Sequence, residues 1–254
     1  DGLVQIYGNR FHENMIGDND YSQGAGVYLY EVDHLHFNSN ILEYHNHTVR
    51  QYWTHASAID LNFVEDGFVA HNQFTKNYGV NLVEFNNFSG AFNGNRFWDN
   101  ESFYDLWIQN ENDIQLMNNF FGKLYGWTPS ASSTSSIPRG GISVLVNISS
   151  GCGTPKVDII NNTFVFAEYA VRIDNIVPVN IQRNIFTSQE KISVDVTDPL
   201  NTGVAVSENL FWDNADNGKT GSVYWTGDPL LTDPWTGDFH LQASSPCIDS
   251  GSNS

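Results

Sequence analysis

Apolar and polar residues alternate in short runs along nearly the whole chain, as in Val4-Gln5-Ile6, Phe68-Val69-Ala70, Ile114-Gln115-Leu116, Val157-Asp158-Ile159 and Val179-Asn180-Ile181. A period of two marks a strand with one buried face. A second alternating series lies earlier in each repeat, about 14 residues before the asparagine that follows these runs. Its apolar positions are Val27 and Leu29, Ile59 and Leu61, Val80 and Leu82, Leu106 and Ile108, Ile142 and Val144, Val171 and Ile173, and Ile192 and Val194. After the first series comes an asparagine, then any residue, then a large apolar one, with the asparagines at Asn9, Asn40, Asn72, Asn95, Asn118, Asn162, Asn184 and Asn209. The gaps between them are 31, 32, 23, 23, 44, 22 and 25 residues. A base period of about 22–25 residues with three longer gaps is the signature of a solenoid.

Two or three short strands per turn, each stacked on the same strand of the next turn, predict an all-β parallel β-helix of about eight coils. Asparagines aligned at one corner predict a ladder, in which each side-chain amide bonds the next coil and the turn backbone. Four repeats extend the motif to Asn-x-Phe-x-x-Asn, ending at Asn14, Asn77, Asn100 and Asn214.

These coils resemble the right-handed parallel β-helix repeat of pectate-lyase-like proteins and of many secreted or surface proteins. Gly227 to Gly251, with Asp-Pro, Gly-Asp-Phe-His-Leu and Ser-Pro-x-Ile-Asp-x-Gly, resembles the closing segment of many such bacterial and archaeal chains. The resemblance implies a solenoid over residues 1–224 and a closing segment over 225–254, packed on the last coils. It implies architecture rather than reaction, because the fold hosts lyases, glycosidases, adhesins and filaments alike.

Acidic residues exceed basic ones by 29 − 11 = 18. That balance disfavours nucleic acid and anionic membrane as partners, and polyanionic glycans less firmly. No apolar run approaches the roughly 18 residues of a membrane span. The chain opens inside a strand pattern at Asp1-Gly2-Leu3 without a recognisable cap. We therefore expect either a piece of something longer or an end that stacks on a neighbouring copy. Cys152 and Cys247 are the only cysteines. In an oxidising exterior either a disulfide pinning the tail or two inert thiols fits them.

Insertions in a solenoid project from one side and carry function. The longest gap holds Tyr125 and Trp127, and another packs Trp53 among histidines. His34 with His36, and His45 with His47, share one strand face each if extended. Calcium held by Asp and Asn oxygens is the more natural cation here, given the abundance of oxygen donors.

In the second strand series the apolar alternation directs Asp60, Asn81, Asp105 and Trp107 outward. Asp60 and Asp105, two coils apart, would stand about 9–10 Å apart on one face. That is the wide edge of the roughly 6.5–9.5 Å spacing of an inverting glycosidase. Glu84, if it turns outward, is an alternative second acid. Asn81 and Trp107, with the loop aromatics Trp53, Tyr125 and Trp127, would supply sugar contacts. The lysines and arginines do not cluster as β-elimination of a uronic acid requires. Two readings follow. One is an extracellular or cell-surface module with a structural, filament-forming or adhesive role, binding a glycan or stacking end to end on copies of itself. The other is a carbohydrate-active enzyme, a glycoside hydrolase rather than a lyase.

Overall fold

A computed structural model describes residues 2–13, 15–16, 24–47, 56–109, 113–123, 141–148 and 156–248. The described chain is all strand and turn, with parallel strands in curled sheets that stack as a solenoid. The architecture is compatible with a β-helix. Strands fall into three rows. The front row runs through residues 24–32, 56–64 and 78–88, then Glu101–Gln109, Ile142–Asn147, Tyr169–Ile173, Ile192–Val196 and Asp216–Gly218. The back row runs from Leu3–Tyr7 to Val204–Ser207. In the early repeats front and back strands are continuous, as in Ala56–Ala70 and Tyr78–Asn93. The side row forms a separate nine-stranded sheet from Arg10–His12 to Tyr224–Thr226.

The motif phenylalanines explain why the side row stacks so regularly. Phe74, Phe97, Phe121, Phe164, Phe186 and Phe211 are buried one above another. Successive centroids lie 4.3, 4.9, 5.1, 5.0 and 5.1 Å apart, all within 17° of parallel. These distances match the spacing of neighbouring strands, about 4.8 Å, so a column of identical rings stacks in step with the strands that carry it.

The corner between back and side rows carries the asparagine ladder. Asn72 Nδ2 donates to Asn95 Oδ1 at 2.9 Å and to the Phe37 carbonyl at 2.9 Å, while its backbone N–H also reaches Asn95 Oδ1 at 3.0 Å. The same pattern links Asn9, Asn40, Asn72, Asn95, Asn119, Asn162, Asn184 and Asn209. Each rung follows a residue in the left-handed region, from Gly8 and Ser39 to Arg183 and Glu208, with φ between +54° and +66°. The rung in the fifth repeat is Asn119, not the expected Asn118. Asn118 takes the left-handed corner at φ +57° and donates instead to Asn93 Oδ1 at 2.9 Å. Asn118-Asn119-Phe120-Phe121 satisfies the motif in two registers, and the Phe121 ring that continues the column decides between them. A shorter second ladder joins His45, Asn77 and Asn100, and a separate stretch joins Ala167, Gln189 and Asn214. Asn14 lies outside the described residues.

The closing segment reaches further back than the last repeats. Its antiparallel hairpin, Leu231–Asp233 with Asp238–Leu241, lies on the outer surface of the side row. Phe239 stacks on Phe120 at 3.5 Å and meets Trp98 edge-on, and Trp235 stacks on Phe166 at 4.5 Å. A small second core of Val165, Phe166 and Leu231 results, and Arg96, 141 residues earlier in the chain, grips the Gly237 carbonyl. Cys247 is half-buried in this segment, and Cys152 lies outside the described residues.

Candidate functional site

The front row brings polar side chains from successive repeats into line. Parallel pairing sets Tyr28 against Asp60, Asp60 against Glu84, Glu84 against Trp107, Trp107 against Leu145, Leu145 against Arg172 and Arg172 against Asp195. Two residues on, and so on the same face, Tyr30, Asn62, Asn86, Gln109 and Asn147 form a second line. Ile59 and Leu61, Val83 and Phe85, and Leu106 and Ile108 hold the opposite, core-facing side.

Leu82 is buried with the core as expected, but the residues that stand in register with Ile59 and Leu61 are Val83 and Phe85. The stretch Val80-Asn81-Leu82-Val83-Glu84-Phe85 alternates acceptably in either register, and a slip of one residue exchanges the two faces. The expected alignment of Asp60 with Asp105 therefore does not form. Asp60 stands beside Glu84, one strand away.

Hydrogen bonds fix this pair. Glu84 Oε2 accepts from Asn81 Nδ2 at 3.0 Å and Oε1 from Gln109 Nε2 at 2.5 Å. Asn62 Nδ2 donates to Asp60 Oδ1. Asp60, Asn62, Asn81 and Glu84 are all buried, whereas Tyr28, Tyr30 and Phe63 stand exposed at the edge of the same face. Tyr28 and Tyr30 lie nearly parallel at 6.4 Å, and Phe63 meets Tyr30 edge-on at 5.4 Å. Further along, Trp107 packs at 5.7 Å against Tyr104. Arg172 closes the line, with Nε 2.8 Å from Asp174, Nη1 3.6 Å from Asp195, and its guanidinium over Tyr169. Burial pushes the Asp195 carboxyl up, and Arg172 pulls it back.

Asp105 belongs to a different environment. It lies between Tyr104, opposite Asn81, and Leu106, opposite Val83, which sets it against Leu82 of the core. Its Oδ1 accepts from Lys123 Nζ at 2.9 Å and Ser102 Oγ at 2.6 Å. Lys123 Nζ also reaches Ser102 Oγ at 3.0 Å and the Ser102 carbonyl at 3.2 Å. Burial pushes the Asp105 carboxyl above its ordinary range, and Lys123 and then Ser102 oppose that shift. Ser143 also favours the charged form, although its Oγ makes no hydrogen bond of good geometry. Lys123 was unremarkable in the sequence, since nothing in its spacing places it against an aspartate 18 residues earlier.

Trp53, Tyr125 and Trp127 lie outside the described residues. His34 Nδ1 contacts Asp66 at 3.1 Å, His36 packs edge-on to Phe68, and His45 occupies a buried ladder position. Among the described residues no three His, Cys, Asp or Glu side chains converge as a metal-binding group, and no helix is long and apolar enough to cross a membrane. Set against protein-family models, curated proteins and solved structures, the chain matches none.

Proposed function

We propose that the chain is a right-handed parallel β-helix of about eight coils that acts outside the cell or at its surface, and that its front face binds a glycan. The line Tyr28, Asp60, Glu84 and Trp107 carries this reading. Ring faces stack on the apolar faces of sugars. The half-buried amides of Asn86 and Gln109 pair with hydroxyl groups, and the buried Asp60 and Glu84 carboxylates order that polar layer through Asn62, Asn81 and Gln109. Parallel strands repeat these groups at about 4.8 Å, so an extended chain of sugars meets similar chemistry at each step. The net charge of −18 favours a neutral glycan over a polyanionic one. A structural or adhesive role for the module is consistent with such a face.

One observation favours a second reading, glycoside hydrolysis. Asp60 and Glu84 are register neighbours, and adjacent strands place two carboxyl groups near the roughly 5–5.5 Å separation of retaining glycosidases. This is narrower than the spacing expected of Asp60 and Asp105, and it changes the stereochemical outcome such a site would give.

The test is binding to, and reducing-end release from, a panel of neutral and acidic polysaccharides, using the parent and an Asp60→Asn, Glu84→Gln variant. Binding without release, weakened at least tenfold in the variant, supports a glycan-binding module. Release that the variant loses supports the hydrolase. Neither binding nor release from any member of the panel overturns both.

A further inference from the structure

We propose that the back row carries a sugar-binding site of its own, an open cavity bounded by Asp66, Phe68, Asp113, Gln115, Lys156 and Asp158. The site lies away from the front face and does not rest on the reading of that face.

The register of the back row creates the cavity. Val69, Phe92, Leu116 and Ile159 are buried in the core, so the residues one position earlier face outward. They form the line His36, Phe68, Ala91, Gln115, Asp158 and Asn180. Ala91 is the smallest of them, and a gap opens over its methyl between Phe68 and Gln115, two strands or about 9–10 Å apart. Gly67 and Gly90 pair beside the gap, and neither has room for a Cβ. One on Gly90 would strike the Gly67 carbonyl, and one on Gly67 would strike the Phe88 ring. Backbone without side chains therefore lies under this part of the cavity. The enclosed volume is about 380 Å³, within the roughly 300–1,000 Å³ of ligand pockets.

The walls offer two kinds of contact. Phe68 is half-buried; it meets the His36 ring at 5.8 Å on one side and borders the Ala91 gap on the other, where it supplies an apolar surface. Around it stand the carboxylates of Asp66, Asp113 and Asp158, with Gln115 and Lys156 as donors. Neighbouring groups hold these side chains in place. Lys156 Nζ lies 2.8 Å from Asp158, whose Oδ1 also accepts from Asn180 Nδ2 at 3.1 Å. Asp113 Oδ1 accepts from the Lys156 backbone N–H at 3.0 Å, and Asp66 lies 3.1 Å from His34 Nδ1.

This combination selects its ligand. Among the described residues that bound the cavity, three carboxylates face one ammonium, a balance that repels an anion. A wholly apolar ligand would strip water from the carboxylates and return no hydrogen bond. A neutral sugar satisfies both kinds of wall, with the apolar face of its ring on Phe68 and its hydroxyls donating to the carboxylates and pairing with the Gln115 amide. The cavity has room for a disaccharide at most, whereas the front line extends over successive repeats, so the back site is the weaker of the two.

Calorimetric titration with neutral oligosaccharides of glucose, xylose, mannose and N-acetylglucosamine tests this. The front-face variant Asp60→Asn, Glu84→Gln should retain a weak binding event, with Kd between about 0.1 and 10 mM. Adding Ala91→Trp, which fills the gap and removes no hydrogen bond, should weaken that event at least tenfold. Ala91→Trp alone should leave any tighter, front-face event unchanged. Should the front face bind no sugar, the parent still shows the weak event and Ala91→Trp still removes it, so the two readings fail separately. A front-face variant that binds no sugar of the panel, or a weak event that Ala91→Trp leaves intact, overturns the proposal. Circular dichroism confirms that the variants fold. Should Ala91→Trp unfold, Phe68→Ala with Gln115→Ala takes its place, with the same expected loss.

Discussion

Lys123 Nζ lies 2.9 Å from Asp105 Oδ1, and both side chains are almost wholly withdrawn from water. Two charges in the core each carry a desolvation cost, and their mutual attraction offsets it only while both are present. Lys123→Met should therefore destabilise the fold by about 3–5 kcal/mol near neutral pH, because it leaves the Asp105 carboxylate buried alone. The loss should shrink in acid. The folded-state Asp105 carboxyl is already raised by burial, and removing Lys123 raises it further. Between that raised value and the ordinary carboxyl value of about 3.9, the folded state binds more protons than the unfolded one, so stability grows as pH falls. Thermal unfolding of parent and variant at about pH 7 and about pH 4.5 measures the gap, and a gap that stays constant rejects the account.

Asp60 and Asp105 should separate cleanly under the same substitution. Asp60→Asn keeps an oxygen to accept from Asn62 and removes a charge from the front face. It should cost under about 1 kcal/mol of stability while weakening glycan binding tenfold or more. Asp105→Asn strands the Lys123 ammonium in the core. It should cost several kcal/mol and leave the binding constant of the folded fraction unchanged. Paired denaturant titrations and binding curves decide this. Equal effects of the two changes on binding would sink the assignment of Asp60 to the face and Asp105 to the interior.

The ladder makes an equally sharp contrast between neighbours in type. Asn95 receives two hydrogen bonds from Asn72 and gives three, to Val69 and Asn119. Asn95→Leu strips the side-chain bonds from a buried turn and should cost more than about 1 kcal/mol. Asn118→Gly should stay within about 0.5 kcal/mol, since glycine adopts the left-handed φ of that corner freely. Both are read from urea unfolding midpoints.

What the sequence made legible follows from how the interactions repeat. The ladder and the phenylalanine column recur with each turn, so spacing alone located Asn72, Asn95, Phe74 and Phe97, and the strands around them. Legibility failed where two registers satisfied the same local pattern, at Asn118-Asn119-Phe120-Phe121 and at Val80 to Phe85. There the deciding contacts are with the neighbouring turn, Phe121 on Phe97 and Val83 on Ile59, and no single repeat contains them. The slip at Val80 carried into the candidate site, because it placed Asn81 where Glu84 stands in line with Asp60. The Lys123–Asp105 pair and the grip of Arg96 on Gly237 are single, non-repeating contacts, to which periodicity is blind.

The closing hairpin gives a last prediction, because its attachment rests on few side chains. Phe239 sits 3.5 Å from Phe120, within 16° of parallel, and 5.1 Å from Trp98, with the Arg96 guanidinium above its ring. A fully buried phenylalanine replaced by alanine costs about 3–5 kcal/mol. Phe239 is only half-buried, so Phe239→Ala should weaken hairpin docking by about half as much. Trp235 on Phe166 would then be the main remaining aromatic anchor. The solenoid draws its stability from the ladder and the central column, neither of which Phe239 touches. Local release of the hairpin should therefore precede global unfolding. Limited proteolysis is expected to cut the variant within residues 227–248 well before the repeats, while the main thermal transition shifts little. Cleavage spread evenly over the chain, or a main transition that falls with the hairpin, would mean the closing segment is integral to the solenoid rather than docked upon it.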